Sequence, residues 1–143
     1  MKTLNKLGAV FSFFFIVGVL ALSLSIVNAE QTSDSWPMFH HDLAHTGYST
    51  SSPPNLNVTL WKYQTAAGIF SSPTIEAGVV YFGSEDKVIY AINSDTGVQV
   101  WNYTTGGGVD SSPAVSNGKV FVGSYDGSLY ALDASTGKIL YQS

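Results

Sequence analysis

Shifted by 40 residues, the chain aligns with itself without a gap. Trp61 falls on Trp101, Ser71-Ser72-Pro73 on Ser111-Ser112-Pro113, and Gly83-Ser84 on Gly123-Ser124. The same shift pairs Tyr90-Ala91 with Tyr130-Ala131 and Thr96-Gly97 with Thr136-Gly137. A fixed period of this length restricts the chain to architectures in which one unit cannot bury its apolar face alone and neighbours stack or form a ring.

Within each unit, apolar, β-branched and aromatic runs are separated by turn residues. Val79 to Phe82, Val88 to Ile92 and Val98 to Tyr103 are strand-like, as are Lys119 to Val122, Ser128 to Leu132 and Lys138 to Tyr141. Asp126-Gly127 suits a tight hairpin, since glycine accepts the positive φ such a turn demands. Asn117-Gly118 and Thr136-Gly137 supply further turns. A helical repeat would need apolar spacing near 3.6 and few β-branched residues, and this chain, with 14 glycines, has neither property. With a short strand around Ser72 to Glu76, each unit holds four strands, the make-up of a β-propeller blade. The expected fold is therefore all-β: about two blades of four antiparallel strands in an incomplete ring, at about 71–104 and 111–143. A leading outer strand is expected around Val58 to Tyr63.

Residues Ala91 to Trp101 and Ala131 to Tyr141 follow the pattern Ala-x-Asp-x-x-Thr-Gly-x-x-x-Trp, with Asn93 in place of Asp in the first copy and Tyr141 in place of Trp in the second. This resembles the tryptophan-docking motif of the pyrroloquinoline-quinone (PQQ) type β-propeller repeat family, and Gly123 to Asp133 resembles the segment that precedes it there. The resemblance covers residues 36–143. It implies that Trp61 and Trp101 cement neighbouring blades, that Tyr141 takes the same place in the last copy, and that Ala91, Gly97, Ala131, Asp133 and Gly137 complete the motif.

The first 29 residues read as a secretory leader. Lys2 and Lys6 precede an apolar stretch from Leu7 to Val27, and Val27-Asn28-Ala29 suits a cleavage site. The alternative is an uncleaved anchor helix, which would be the only route to a membrane. The chain has no cysteine, so neither disulfides nor a lipidated cysteine can serve it. Of its six basic residues two lie in the leader, leaving four lysines against ten acidic residues, a balance unsuited to nucleic acid. The expected location is secreted, periplasmic or cell-surface. Asn57-Val58-Thr59 and Asn102-Tyr103-Thr104 match the N-glycosylation pattern.

Residues 30–56 form an opening segment and linker that holds all three histidines. His40, His41 and His45, with Asp42, are the candidate metal ligands, but zinc needs three or four ligands converging on one point. His41 and His45 would share a face only on a helix, and this segment is too short to sustain one. It resembles instead the opening segment of secreted propellers of the same family, which implies that Trp36 and Phe39 anchor the chain against a blade while Asp42, Thr46 and Gly47 shape a turn. The run from Ser49 to Pro54 is an extended connector. The acidic turns at Ser84 to Lys87 and Tyr125 to Gly127 lack the alternating carboxylates of a calcium loop and read as solvated hairpin turns.

PQQ-dependent dehydrogenases, the catalytic branch of the family, use an adjacent cysteine pair and a calcium ion. Without cysteine, the expectation is a non-catalytic module that binds or scaffolds protein, with no cofactor. The alternative is a piece of a PQQ-dependent dehydrogenase, which would bring PQQ and calcium. Two blades do not close a ring. The chain is accordingly expected to be part of a longer product, its partners being the remaining blades or another protein, or an oligomer if it is complete.

Overall fold

The structure is a computed structural model that describes residues 35–49 and 58–143. The leader, the connector beyond Ser49 and Asn57 lie outside the described residues. Eight strands follow one another: β1 (Thr74–Glu76), β2 (Val79–Gly83), β3 (Val88–Asn93), β4 (Gln99–Thr104), β5 (Ala114–Ser116), β6 (Lys119–Gly123), β7 (Leu129–Asp133) and β8 (Ile139–Gln142). They pair as two four-stranded antiparallel meanders, β1-β2-β3-β4 and β5-β6-β7-β8. The all-β architecture expected from the repeat is the one observed, and the two sheets do not close into a ring. Residues 58–63 form no strand, because no described strand lies alongside to supply ladder hydrogen bonds.

The 40-residue period extends to the irregularities of the sheets. Register shifts occur between Ala91 and Ile92 and between Ala131 and Leu132. Such bulges bend a strand and increase its twist. The β1–β2 and β5–β6 turns hold two successive residues at positive φ, Ala77-Gly78 and Asn117-Gly118. These are two-residue hairpins whose twist matches that of the flanking strands. In the β6–β7 turn Gly127 takes φ 87, and in the β2–β3 turn Lys87 is held at φ 72 in the equivalent place.

Each face of the first sheet meets a different partner. Tyr81, Ile89, Ala91 and Trp101 join Val109, Val115, Val120, Val122, Tyr130 and Leu132 in one core between the sheets. On the opposite face Phe82, Tyr90 and Ile92 are covered by Trp61 and Tyr63 of the leading segment. β3 is consequently without a charged residue and ends in Asn93, with Ile89 to Ile92 all buried. The outer face of the second sheet has no such cover among the described residues: Leu129 is 47% exposed, whereas its equivalent Ile89 is fully buried.

Candidate functional site

The seam between the sheets is organised by the repeated tryptophan. Trp101 sits in β4 opposite Ala91, whose small side chain leaves room for the indole. Its Nε1–H donates to the carbonyl of Ala134 in the next sheet at 2.8 Å. A Cβ on Gly137 would stand 2.7 Å from the Trp101 ring, and Gly137 has φ 69, so both space and backbone require glycine there. Trp61 repeats this arrangement one unit earlier, donating to Ser94 at 2.7 Å and lying against Gly97. The receiving turns are shaped by one side chain each. Asn93 Oδ1 accepts from the amides of Asp95 and Thr96, and Asp133 Oδ1 from those of Ser135 and Thr136. The hydroxyls of Ser135 and Thr136, together with the Thr136 amide, hold the Asp133 carboxyl below the usual range. Tyr141 faces Ala131 across the ladder but is 58% exposed, with no indole-like seat among the described residues.

At the other end of the strands the seam is closed by the acidic turns. Asp126 Oδ2 accepts from the Tyr130 hydroxyl at 2.6 Å and from the Gly106 amide at 2.7 Å, and Oδ1 from the Ser128 amide. The Tyr130 hydroxyl is the main cause of a pKa lowered to about 2, with the two amides adding to it. Asp86 binds Tyr90, Ala66 and Val88 in the same way. Burial, and then this bond to Asp86, push the Tyr90 hydroxyl to about 12. These partly exposed hairpin turns are therefore also clips, each joining a hairpin to the loop that enters the same sheet. The signal in the sequence was the joint recurrence of Asp and Tyr at 86 and 90 and at 126 and 130.

Two further groups lie at that end. Ser71 and Ser111 each donate to and accept from one backbone residue, Gly83 and Gly123 respectively. Asp110 accepts from the Tyr125 hydroxyl at 2.9 Å. A hydrogen bond to Asp110, with burial and the Asp110 charge behind it, raises the pKa of Glu85.

The opening segment straps the inner strands. Trp36 and Ile75 exchange both backbone hydrogen bonds, at 2.7 and 2.8 Å, and the Val115 amide donates to the Pro37 carbonyl at 2.7 Å. One short stretch thus touches β1 and β5. Asp42 accepts from the amide and hydroxyl of Thr46, at 3.1 and 2.6 Å, and these bonds lower its pKa to about 2. Gly47 closes the turn at φ 60, its amide donating to His40. Phe39 is 51% exposed, with its ring against that of His40.

His40, His41 and His45 all have positive φ, so the segment makes no helical turn that would align His41 with His45. His41 packs on Trp36, with its Nδ1 3.5 Å from Asp42, and the His40 and His45 rings are 5.9 Å apart. Among the described residues no three His, Cys, Asp or Glu side chains are placed to hold a metal.

The side chains present do not fit PQQ with calcium. The chain lacks cysteine. Both carboxylate oxygens of Asp86 and of Asp126, and Oδ1 of Asp133, already accept from N–H and O–H donors of the fold.

Comparisons with known proteins agree with this geometry. The family whose model matches residues 55–143 is described as outer membrane protein assembly factor BamB, a PQQ-type family. No curated protein matches the chain. Among solved structures, quinohemoprotein alcohol dehydrogenase from Comamonas testosteroni aligns at 29% identity and a TM-score of 0.65, over 77% of this chain and 19% of its own. The quinohemoprotein alcohol dehydrogenase ADHIIG from Pseudomonas putida aligns at 24% identity and a TM-score of 0.62, over 77% and 19%. BamB from Moraxella catarrhalis aligns at 22% identity and a TM-score of 0.54, over 59% and 27%. The chain spans about a fifth to a quarter of the length of these proteins. With most of its length under the family match and two four-stranded blades to account for it, this chain belongs to the PQQ-like β-propeller repeat family.

Proposed function

We propose that this chain is a non-catalytic β-propeller module of the cell envelope or exterior that works by binding or scaffolding protein. The observation that carries the reading is the uncovered face of the second sheet. Tyr141, Leu129 and Leu140 are 58, 47 and 49% exposed, while Trp101 and Ile89, the equivalents of the first two in the first sheet, are 7 and 0% exposed. Exposed apolar surface of this kind is where protein packs, whether a further blade of the same fold or another chain. The residues that recur at the 40-residue spacing support it as well, since they are committed to hydrogen bonds and packing within the fold. BamB in the family description is an assembly factor for outer membrane proteins.

The alternative, a piece of a PQQ-dependent dehydrogenase, draws on the 29% identity to the Comamonas enzyme. Function resides in the site and not in the repeat, and the lack of cysteine together with the engagement of Asp86 and Asp126 in their own fold supports the module reading. Titration of the purified chain with PQQ and calcium chloride is expected to give no saturable change in quinone absorbance and no dye reduction with an alcohol present. Saturable binding, or reduction above background, overturns the reading in favour of the dehydrogenase.

A further inference from the structure

Where the β1–β2 turn faces β5 and the β7–β8 turn, the seam opens into a cleft of about 390 Å³. Its walls are apolar: Val79, Tyr81 and Val100 from the first sheet, Val115 and Ala134 from the second. Its rim carries Glu76, and no lysine lines it. The charged groups acting on the Tyr81 hydroxyl in this cleft are the Glu76 and Asp133 carboxylates, which add to burial in raising its pKa. The hydroxyl itself is held by the Ala134 carbonyl at 3.1 Å, so the wall is fixed in place. Glu76 accepts from the Ser35 hydroxyl, which orients the carboxylate and leaves its charge.

Resting on the reading of the chain as a protein-binding module, we propose that this cleft receives a basic, aliphatic segment of a partner protein, with the aliphatic side chain against Val79, Val100 and Val115 and the cationic neighbour at Glu76. An apolar floor under a negative rim selects a ligand that carries both features, and electrostatic complementarity of this sort sets specificity. The cleft is open along one side. It therefore accepts side chains presented by a surface, whereas small-molecule sites enclose most of their ligand.

The test uses the capped tripeptide acetyl-Lys-Val-Lys-amide, followed by the NMR resonances of the Trp101 indole N–H and the Ala134 and Asn117 amides. Saturable shifts are expected at all three. The comparators acetyl-Glu-Val-Glu-amide and acetyl-Lys-Ser-Lys-amide are expected to bind at least three-fold more weakly. Glu76→Gln is expected to raise the Kd about three- to five-fold, in line with one lost charge contact of about 1 kcal/mol in water. Val100→Lys, at a side chain already 48% exposed, is expected to abolish the shifts while the rest of the spectrum keeps its native dispersion. Absence of saturable shifts, equal affinity for any comparator, or no change on Glu76→Gln overturns the proposal. A negative result here alongside a negative PQQ titration removes the cleft alone and leaves the module reading standing.

Discussion

Glycine has two separable functions at the residue scale in this fold. Gly118 and Gly137 have almost the same φ, 70 and 69, but a Cβ at Gly118 meets nothing within 4 Å whereas at Gly137 it meets the Trp101 ring. Gly118→Ala is expected to cost about 1 kcal/mol, the strain of a left-handed alanine. Gly137→Ala is expected to cost about 1–3 kcal/mol more through overpacking against the indole. Urea denaturation of both variants checks this, and equal losses would show that the tryptophan yields freely. Lys87 and Ala77, at φ 72 and 48, show that the chain tolerates left-handed non-glycine residues in its hairpin turns.

At the scale of elements, the hairpin turns and entry loops respond to pH in opposite directions. The folded pKa of Asp126 is lowered, so its contribution is present above about pH 4 and is lost as the pH falls toward 2. The folded pKa of Glu85 is raised by Asp110, so its contribution is present at low pH and is lost as the pH rises through the raised value. Thermal denaturation across pH 2 to 8 is expected to show Asp126→Asn flattening the acid limb of the stability profile. Glu85→Gln is expected to raise the Tm at neutral pH and to leave it unchanged near pH 3, because Glu85, with its raised pKa, is already protonated there. A Glu85→Gln variant with no gain at neutral pH would mean that Glu85 and Asp110 do not repel.

For the whole molecule, the two sheets are alike in sequence and unlike in environment. Trp101→Ala is expected to cost about 3–5 kcal/mol, as for a large buried aromatic side chain. Tyr141→Ser, at the equivalent position, is expected to change stability by less than about 0.5 kcal/mol, as for an exposed site. Measured at several protein concentrations, a large loss for Tyr141→Ser would show that another copy of the chain covers that face. The strap from Trp36 to Pro37 acts at the same scale, since a single stretch of backbone joins the inner strands of both sheets.

Period, strand count and turn positions were legible in the sequence because they follow from local chemistry. β-branched runs favour strands, and Asn-Gly, Asp-Gly and Thr-Gly pairs favour the backbone of tight turns. The repeat paired Trp61 with Trp101 and Gly97 with Gly137, and the resemblance to the PQQ-type family placed them in one motif. Contacts formed across the seam were not legible, because they depend on the angle at which one sheet meets the next. The cleft beside Glu76 and the influence of Asp110 on Glu85 each join residues from different turns, and the Asp126 clip joins a hairpin to a loop about 20 residues earlier. The histidines make the same point: their proximity in sequence suggested convergence, and their positive φ angles turn them to different neighbours. The sequence by itself determined the four-stranded unit and its repetition, since periodicity acts within a few residues. Only the tertiary structure decided which face of each sheet is closed and which is open, because burial belongs to the neighbour as much as to the residue.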